Sequence, residues 1–246
     1  MLSPDDFRHR AAAPHEPLRT FHPRRVGLGP ARQDALRRLF PVLGFSVHDE
    51  TASFPRTPDG LLDSVAMFGR HAPLVLEIGS GMGEATAAMA ARDPGRDWLA
   101  VEAHLPGIAS LLLLLDEAGL TNVRVGHGDA LDLVREAIRA DSLDAVHAFF
   151  PDPWPKARHR KRRLVQPAHI ALLRSRLAIG GVLHVATDWA DYAEQMLEVL
   201  SADPGLGNVA PSSDGFARTD RPTTGFERKA LAAGRVPRDL VFRRVR

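Results

Sequence analysis

Between Pro73 and Leu200 the chain alternates short apolar runs with longer segments of helical periodicity. LVLEIG, at 74–79, is an apolar run that ends in glycine, and the GEATAAMAARD after it has the alanine-rich pattern of a helix. WLAVEAH predicts a second strand, followed by a leucine-rich helix that Gly119 terminates. NVRVGHGDA predicts a third strand with LDLVREAIRA as its helix, and SLDAVHAFF a fourth. A helix over Gln166 to Ala178, closed by Gly180 and Gly181, leads to VLHVAT, the fifth strand. Asp188 then stands where a side chain caps the helix pattern DWADYAEQMLEVL. Upstream, PARQDALRRLF (Pro30 to Phe40) places Ala35, Leu36, Leu39 and Phe40 on one helical face. Strands that alternate with helices of this length predict a parallel sheet covered on both sides, a doubly wound α/β domain.

Residues 1–30 are rich in Pro, Arg and His and lack apolar periodicity, which predicts a flexible basic arm ahead of a single domain over 31–246. At 246 residues and 44% hydrophobic, the chain is long enough for one sizeable core. Its longest apolar stretch, Ile108 to Leu115, is far shorter than the ~20 residues of a membrane span. MLSPDDFRHR has no apolar core of a secretion signal, so the expected location is the cytoplasm, with no membrane partner. The absence of cysteine excludes disulfides, thiolate zinc sites and a cysteine nucleophile.

A net charge of +2 hides a division along the chain. Residues 41–152 carry 17 acidic and 7 basic side chains, whereas residues 215–246 carry 3 and 9. Between Asp152 and Asp188 there is no acid and there are 8 Lys or Arg. This pattern suggests an acidic body with basic surfaces able to hold a polyanion, although a solvated face would look the same.

In open α/β sheets ligands bind beyond the carboxyl ends of the strands. All five predicted strands end on a carboxylate: Glu77, Glu102, Asp129, Asp152 and Asp188. After the first strand, Gly79, Gly81 and Gly83 form a turn through which backbone can approach a ligand closely. A dinucleotide fingerprint would have a small residue where Glu84 stands, so a nicotinamide cofactor is disfavoured. The combination resembles the S-adenosylmethionine-binding motifs of class I methyltransferases. Strand-end carboxylates can accept hydrogen bonds from ribose hydroxyls and an adenine amino group, and they favour the sulfonium and ammonium charges of that cofactor.

Asp152-Pro153-Trp154 resembles the Asp-Pro-Pro-Tyr loop of amino-methyltransferases, which holds a nitrogen in line with the methyl group. For guanine N7, whose lone pair is free, positioning and charge are most of the catalysis, and Asp152 could anchor the base and offset the charge developing on its ring. The plainer alternative is a capped loop with Trp154 in the core.

FPDPWPKARHRKRRLVQP, with LEIGSGMG upstream, ATDWADYAEQM downstream and RPTTGFERKALAAGRVPRDLVF near the C-terminus, resembles the bacterial tRNA (guanine-N7)-methyltransferase family over about Thr20 to Phe242. The resemblance implies a Rossmann-like class I methyltransferase fold, with a seven-stranded, mostly parallel sheet and an antiparallel C-terminal strand. It implies S-adenosylmethionine bound by Glu77, Glu102, Asp129 and Asp152 at the glycine turn, with Asp152 also catalytic. It implies contact of Lys156 and Asp188 with substrate, of Arg158, His159, Arg160, Lys161, Arg162 and Arg163 with tRNA, and closure of the site around the base by Thr224, Gly225, Phe226 and Glu227. The expected target is a guanine in the variable loop of tRNA, and the expected assembly a monomer or homodimer without metal. The family usually has lysine where Gly225 stands and a polar residue where Pro155 stands, which puts selection among tRNAs in doubt. Two rival readings stay open: an amino-methyltransferase acting on another base or a small molecule, and an RNA-binding protein that kept the fold and lost catalysis. His104, His127, His147 and His184 lie beside strands, where packing accounts for them. Ser80 and Ser175 lack a hydrolase context, and Trp98 and Trp189 read as core.

Overall fold

The computed structural model describes residues 19–21, 27–49, 53–210, 212–217 and 221–246. The expected arm over 1–30 lies largely outside them. The elements run α1 (Pro30–Leu43), β1 (Gly44–Ser46), α2 (Ser64–Phe68), β2 (Leu74–Ile78), α3 (Glu84–Arg92), β3 (Asp97–Glu102), α4 (Leu105–Ala118), β4 (Val123–His127), α5 (Ala130–Glu136) and β5 (Leu143–Phe149). A 3-10 helix (Ala157–Arg162) follows, then α6 (Pro167–Arg176), β6 (Leu177–Thr187), α7 (Ala190–Ala202), β7 (Leu206–Asn208), α8 (Gly225–Ala232) and β8 (Arg238–Arg244).

The strands form one sheet in the order β1-β4-β3-β2-β5-β6-β8-β7. All neighbours through β6 are parallel, and β8 is antiparallel to both β6 and β7. From β2 the chain builds outward through β3 and β4, then returns to lay β5 on the other side of β2. The crevice beyond the carboxyl ends of β2 and β5 is therefore the switch point at which such sheets bind ligands. One apolar cluster, with Leu131, Leu173 and Met196, fills the face under α5, α6 and α7, and a second, with Phe40, Leu111 and Leu112, fills the face under α1 and α4. Every residue of β3 is buried, as expected of a strand covered on both faces.

The doubly wound expectation holds, with eight strands instead of seven. The extra one, β1, is three residues long and exists through its pairing of Gly44–Ser46 with Val125–His127, so it has no periodicity of its own to read. The helix expected to reach Ala178 stops at Arg176, because Leu177 already pairs with Leu143 of β5. The expected cap at Asp188 is also displaced: Trp189 occupies the N-cap of α7, and no side chain caps it.

Candidate active site

Three left-handed glycines make the turn after β2, with φ of +73° at Gly79, +58° at Gly81 and +82° at Gly83. L side chains rarely adopt such angles. The turn is also pressed from outside. A Cβ at Gly107, in the first turn of α4, would lie 2.2 Å from the Gly81 carbonyl oxygen, so α4 meets the loop backbone to backbone.

Glu102 fastens that contact. One of its oxygens accepts from the Gly81 N–H at 2.8 Å and the other from the His104 N–H at 2.8 Å. Burial raises its pKa, and these backbone donors work in the opposite direction. Glu77 is 2% exposed and accepts from Thr86 Oγ1 at 2.6 Å. Burial, only partly opposed by that bond and reinforced by the charge of Glu102, pushes its carboxyl up to about 7. Asp129 accepts from the Leu131 N–H at 2.8 Å as the N-cap of α5, and burial raises its pKa as well.

Asp152 sits in a constrained loop. Phe150 and Trp154 flank it in left-handed conformations, with φ of 55° and 43°. The Phe150 N–H donates to Ala186 at 2.8 Å, and Trp154 Nε1 donates to the Thr20 carbonyl at 2.9 Å. Trp154 is 3% exposed, so the plainer reading of this residue as core is correct for the side chain, while the loop it anchors still faces the crevice.

These residues surround one cavity of about 830 Å³, large enough for a nucleoside-sized ligand. Glu77, Glu102, Asp129 and Asp152 all line it, together with the glycine turn. The buried Ser80 Oγ on its wall has no hydrogen-bond partner among the described residues. An acid-lined pocket with an unpaired hydroxyl and a backbone loop free of side chains fits a cationic nucleoside cofactor. Among the described residues no group of three or more His, Asp or Glu is placed to hold a metal ion.

The C-terminal segment closes the mouth. Thr224 caps α8 by accepting from the Glu227 N–H, and Thr224, Gly225 and Phe226 all line the cavity. The Gly225 N–H donates to Glu84 at 2.9 Å, and Arg228 pairs with the same carboxylate at 3.1 Å. Glu84, which in the sequence only argued against a dinucleotide, thus joins the glycine turn to α8. Glu227 does not line the cavity; it accepts from Arg221 at 2.5 Å.

Asp188 is outside the cavity walls and accepts from Arg235 Nε at 2.6 Å. The basic run leads away from Asp152. Lys156, Arg158, Arg160 and Lys161 are exposed, and Gly225's neighbour Phe226 is 57% exposed. His159 meets Trp154 edge-on, Arg162 lies 4.8 Å over the same ring, and Arg160 pairs with Asp191 at 2.9 Å. Arg163 departs from the expectation that the whole run faces tRNA. It is 1% exposed and donates to Pro153, Gln195 and Asp191, with its guanidinium 4.7 Å over Tyr192. Its acceptors Asp191 and Gln195 come from the first two turns of α7, which the local sequence does not reveal. Of the residues that sequence reasoning did not assign to the site, Thr86 carries no distinguishing local signal, Ser80 reads in the sequence only as a candidate nucleophile, and Gly107 is marked only by its place at the start of an apolar helix.

A family model described as "Putative methyltransferase" matches residues 71–240. The chain is 48% identical over 229 residues to the tRNA (guanine-N(7)-)-methyltransferase of Streptomyces avermitilis, covering 93% of this chain and 76% of the relative. To the protein of that name from Nitrosospira multiformis it is 47% identical over 234 residues, covering 94% and 96%. Among solved structures, the 16S rRNA methyltransferase KamB superposes with a TM-score of 0.53 at 14% identity, over 77% of this chain and 94% of that one. The aminoglycoside resistance methyltransferase NpmB1 gives 0.51 at 15%, over 78% and 95%. At these identities the structural likeness bears on the fold alone.

Two predictions follow from the buried groups. Glu77 keeps a proton in the folded chain at pH values where the unfolded chain, with a pKa near 4.5, has released it. Its share of stability is therefore present below pH 4.5 and lost as pH rises to about 7. Denaturant titrations of the ligand-free protein between about pH 5 and 8 should show stability falling by up to about 3 kcal/mol, and Glu77→Gln should flatten that slope. Separately, Arg163→Met should lower the unfolding free energy by about 2 kcal/mol, since it leaves the Pro153 carbonyl and Gln195 without their buried donor while Asp191 keeps Arg160. Arg158→Met should leave the denaturation midpoint unmoved.

Proposed function

Because the chain belongs to the tRNA (guanine-N7)-methyltransferase family, we propose a division of labour at its site in which the cavity holds the cofactor, the basic run holds RNA, and Asp152 stands between them. The protein transfers a methyl group from S-adenosylmethionine to N7 of a guanine in tRNA. S-adenosylmethionine supplies an electrophilic methyl on a positively charged sulfur. Glu102 and Asp129 would hold its ribose and adenine by accepting hydrogen bonds, and Gly79, Gly81 and Gly83 would let backbone meet it closely. Once bound, its positive charge would favour the ionised form of Glu77.

The observation that carries this reading is the position of Asp152. It lines the acid-walled cavity, and four residues later the chain opens into exposed Lys156, Arg158, Arg160 and Lys161. A base delivered by that basic strip arrives beside the one carboxylate shared by both regions. Guanine N7 needs no base to remove a proton, so Asp152 acts by accepting from the N–H groups of guanine and by offsetting the ring charge as the bond forms. Thr224, Gly225 and Phe226 close over the base with Glu227 held behind them by Arg221, and Asp188, paired with Arg235 outside the cavity walls, meets the substrate beyond the reacting base. The target guanine lies in the variable loop, and the reaction takes place in the cytoplasm.

The test is incubation with labelled S-adenosylmethionine and unmodified tRNA, then chemical cleavage at 7-methylguanine. Label should enter RNA and cleavage should fall in the variable loop; label without such cleavage sinks the assignment to N7. Asp152→Ala should reduce turnover by about 10²- to 10³-fold and leave tRNA affinity within a few fold. Equal losses in both would refute its catalytic role. Affinity for tRNA should fall steeply with salt, and removing Arg158 and Lys161 together should make the log–log slope shallower by about 2.

A further inference from the structure

Behind the mouth of the cavity lies a charged cluster built on Arg221. Its side chain is 4% exposed. Nε and Nη2 fork onto the two oxygens of Asp239 in β8, at 2.6 and 3.2 Å, while Nη1 donates to Glu227 Oε2 at 2.5 Å. The guanidinium also lies 5.3 Å from the ring centre of Phe149 and 5.1 Å from that of Phe150. Asp239 in turn bonds His184 Nε2 of β6 at 2.8 Å. Burial would raise the Asp239 carboxyl, but the bonds to His184 and Arg221 hold it below the usual carboxylate range. One side chain therefore connects the first turn of α8, the antiparallel strand β8, and the end of β5 from which the Asp152 loop departs.

No other residue type fits this position. The two carboxylates approach different edges of the guanidinium while the two phenyl rings pack near it, an arrangement that needs planar, forked donors. A lysine ammonium would keep the charge but could not hold both carboxylates in fixed directions. Because Arg221 and Glu227 are six residues apart, their bond also closes the segment that presents Thr224 and Phe226 to the cavity.

We propose that Arg221 is a positioning residue for methyl transfer, fixing the Glu227 carboxylate and the Phe149–Phe150 turn in one register so that the base-closing segment and Asp152 are aligned. The proposal rests on the reading that Thr224 and Phe226 close over the target guanine. It assigns Arg221 no contact with cofactor or tRNA. Loss of the residue should therefore act on the chemical step more than on either binding step, since small misplacements of reacting groups cost about 100-fold in rate.

The experiment compares Arg221→Met, Arg221→Lys, Glu227→Gln and the double variant Arg221→Met/Glu227→Gln with the wild-type protein. It measures kcat and KM on unmodified tRNA, S-adenosylmethionine affinity by calorimetry, and the thermal midpoint. Arg221→Met should lose about 100-fold in kcat, with KM and cofactor affinity within about threefold, and Arg221→Lys should recover less than about tenfold of that loss. In the double variant the second substitution should cost less than about threefold beyond Glu227→Gln, because both disturb one arrangement. Full additivity, or an effect confined to KM or cofactor affinity, overturns the proposal. So does unfolding of both the Met and Lys variants at the assay temperature, which would make the role structural. A wild-type protein that methylates N7 beside a fully active Glu227→Gln overturns the proposal and leaves the reaction standing, whereas an inactive wild type overturns the reaction itself.

Discussion

Four strand-end carboxylates, with Glu84 beside them, have to share one crevice at the ends of parallel strands, and the layout around that crevice follows from how their charge is accommodated. At low dielectric, neighbouring like charges repel by several kcal/mol. Each group is handled differently. Glu77, enclosed behind Thr86, is pushed to about 7 and carries a proton for much of the time near neutrality. Glu102 spreads its charge over the N–H groups of Gly81 and His104, and Asp129 sits on the N-terminus of α5, where the helix dipole favours an anion. Such a pocket is costly to leave fully ionised and empty of positive charge. Its affinity for a cationic ligand follows from the same energetics.

The constraint reaches the backbone as well. Glu102 can bond Gly81 only because Gly107 has no Cβ to hold α4 away from the turn. On the far side of the crevice Asp152 is framed by two left-handed, non-glycine residues, each costing of order 1–3 kcal/mol. The Phe150 bond to Ala186, the buried Trp154 ring and its bond to Thr20 hold that strained loop in place. The glycine turn and the Asp152 loop are thus each held by several contacts, while α8 is joined to them through Glu84 and Arg221.

The sequence disclosed the parts of this arrangement that are local. Strand ends could be read because each apolar run stops at a carboxylate, and the turn because three glycines alternate within five residues. The three-residue β1 escaped, since its strand character comes from β4. Arg163 escaped because six basic residues in near succession look alike until the 3-10 helix ends and turns the last of them under α7, toward Asp191 and Gln195. Asp188 was legible as a strand-end acid but not as the partner of Arg235, 47 residues away. Contacts between distant segments decide which member of a charged run faces water, and no local pattern records them.

Methyl transfer to guanine N7 moves one positive charge from a sulfonium to a purine ring and leaves the total unchanged. A row of carboxylates that faces the charge at both positions therefore needs no reorganisation as the bond forms, which is the condition under which fixed electrostatics act most strongly. Glu77, Glu102 and Asp129 line the cavity beside the glycine turn, and Asp152 lines it where the chain gives way to the basic strip. The exposed Lys156, Arg158 and Lys161 do not oppose this field at the reacting atoms, because solvent screens their charge. In the proposed division of labour, acid and base sit close together in the sequence so that phosphates are held on one side of Trp154 while a base takes on charge on the other.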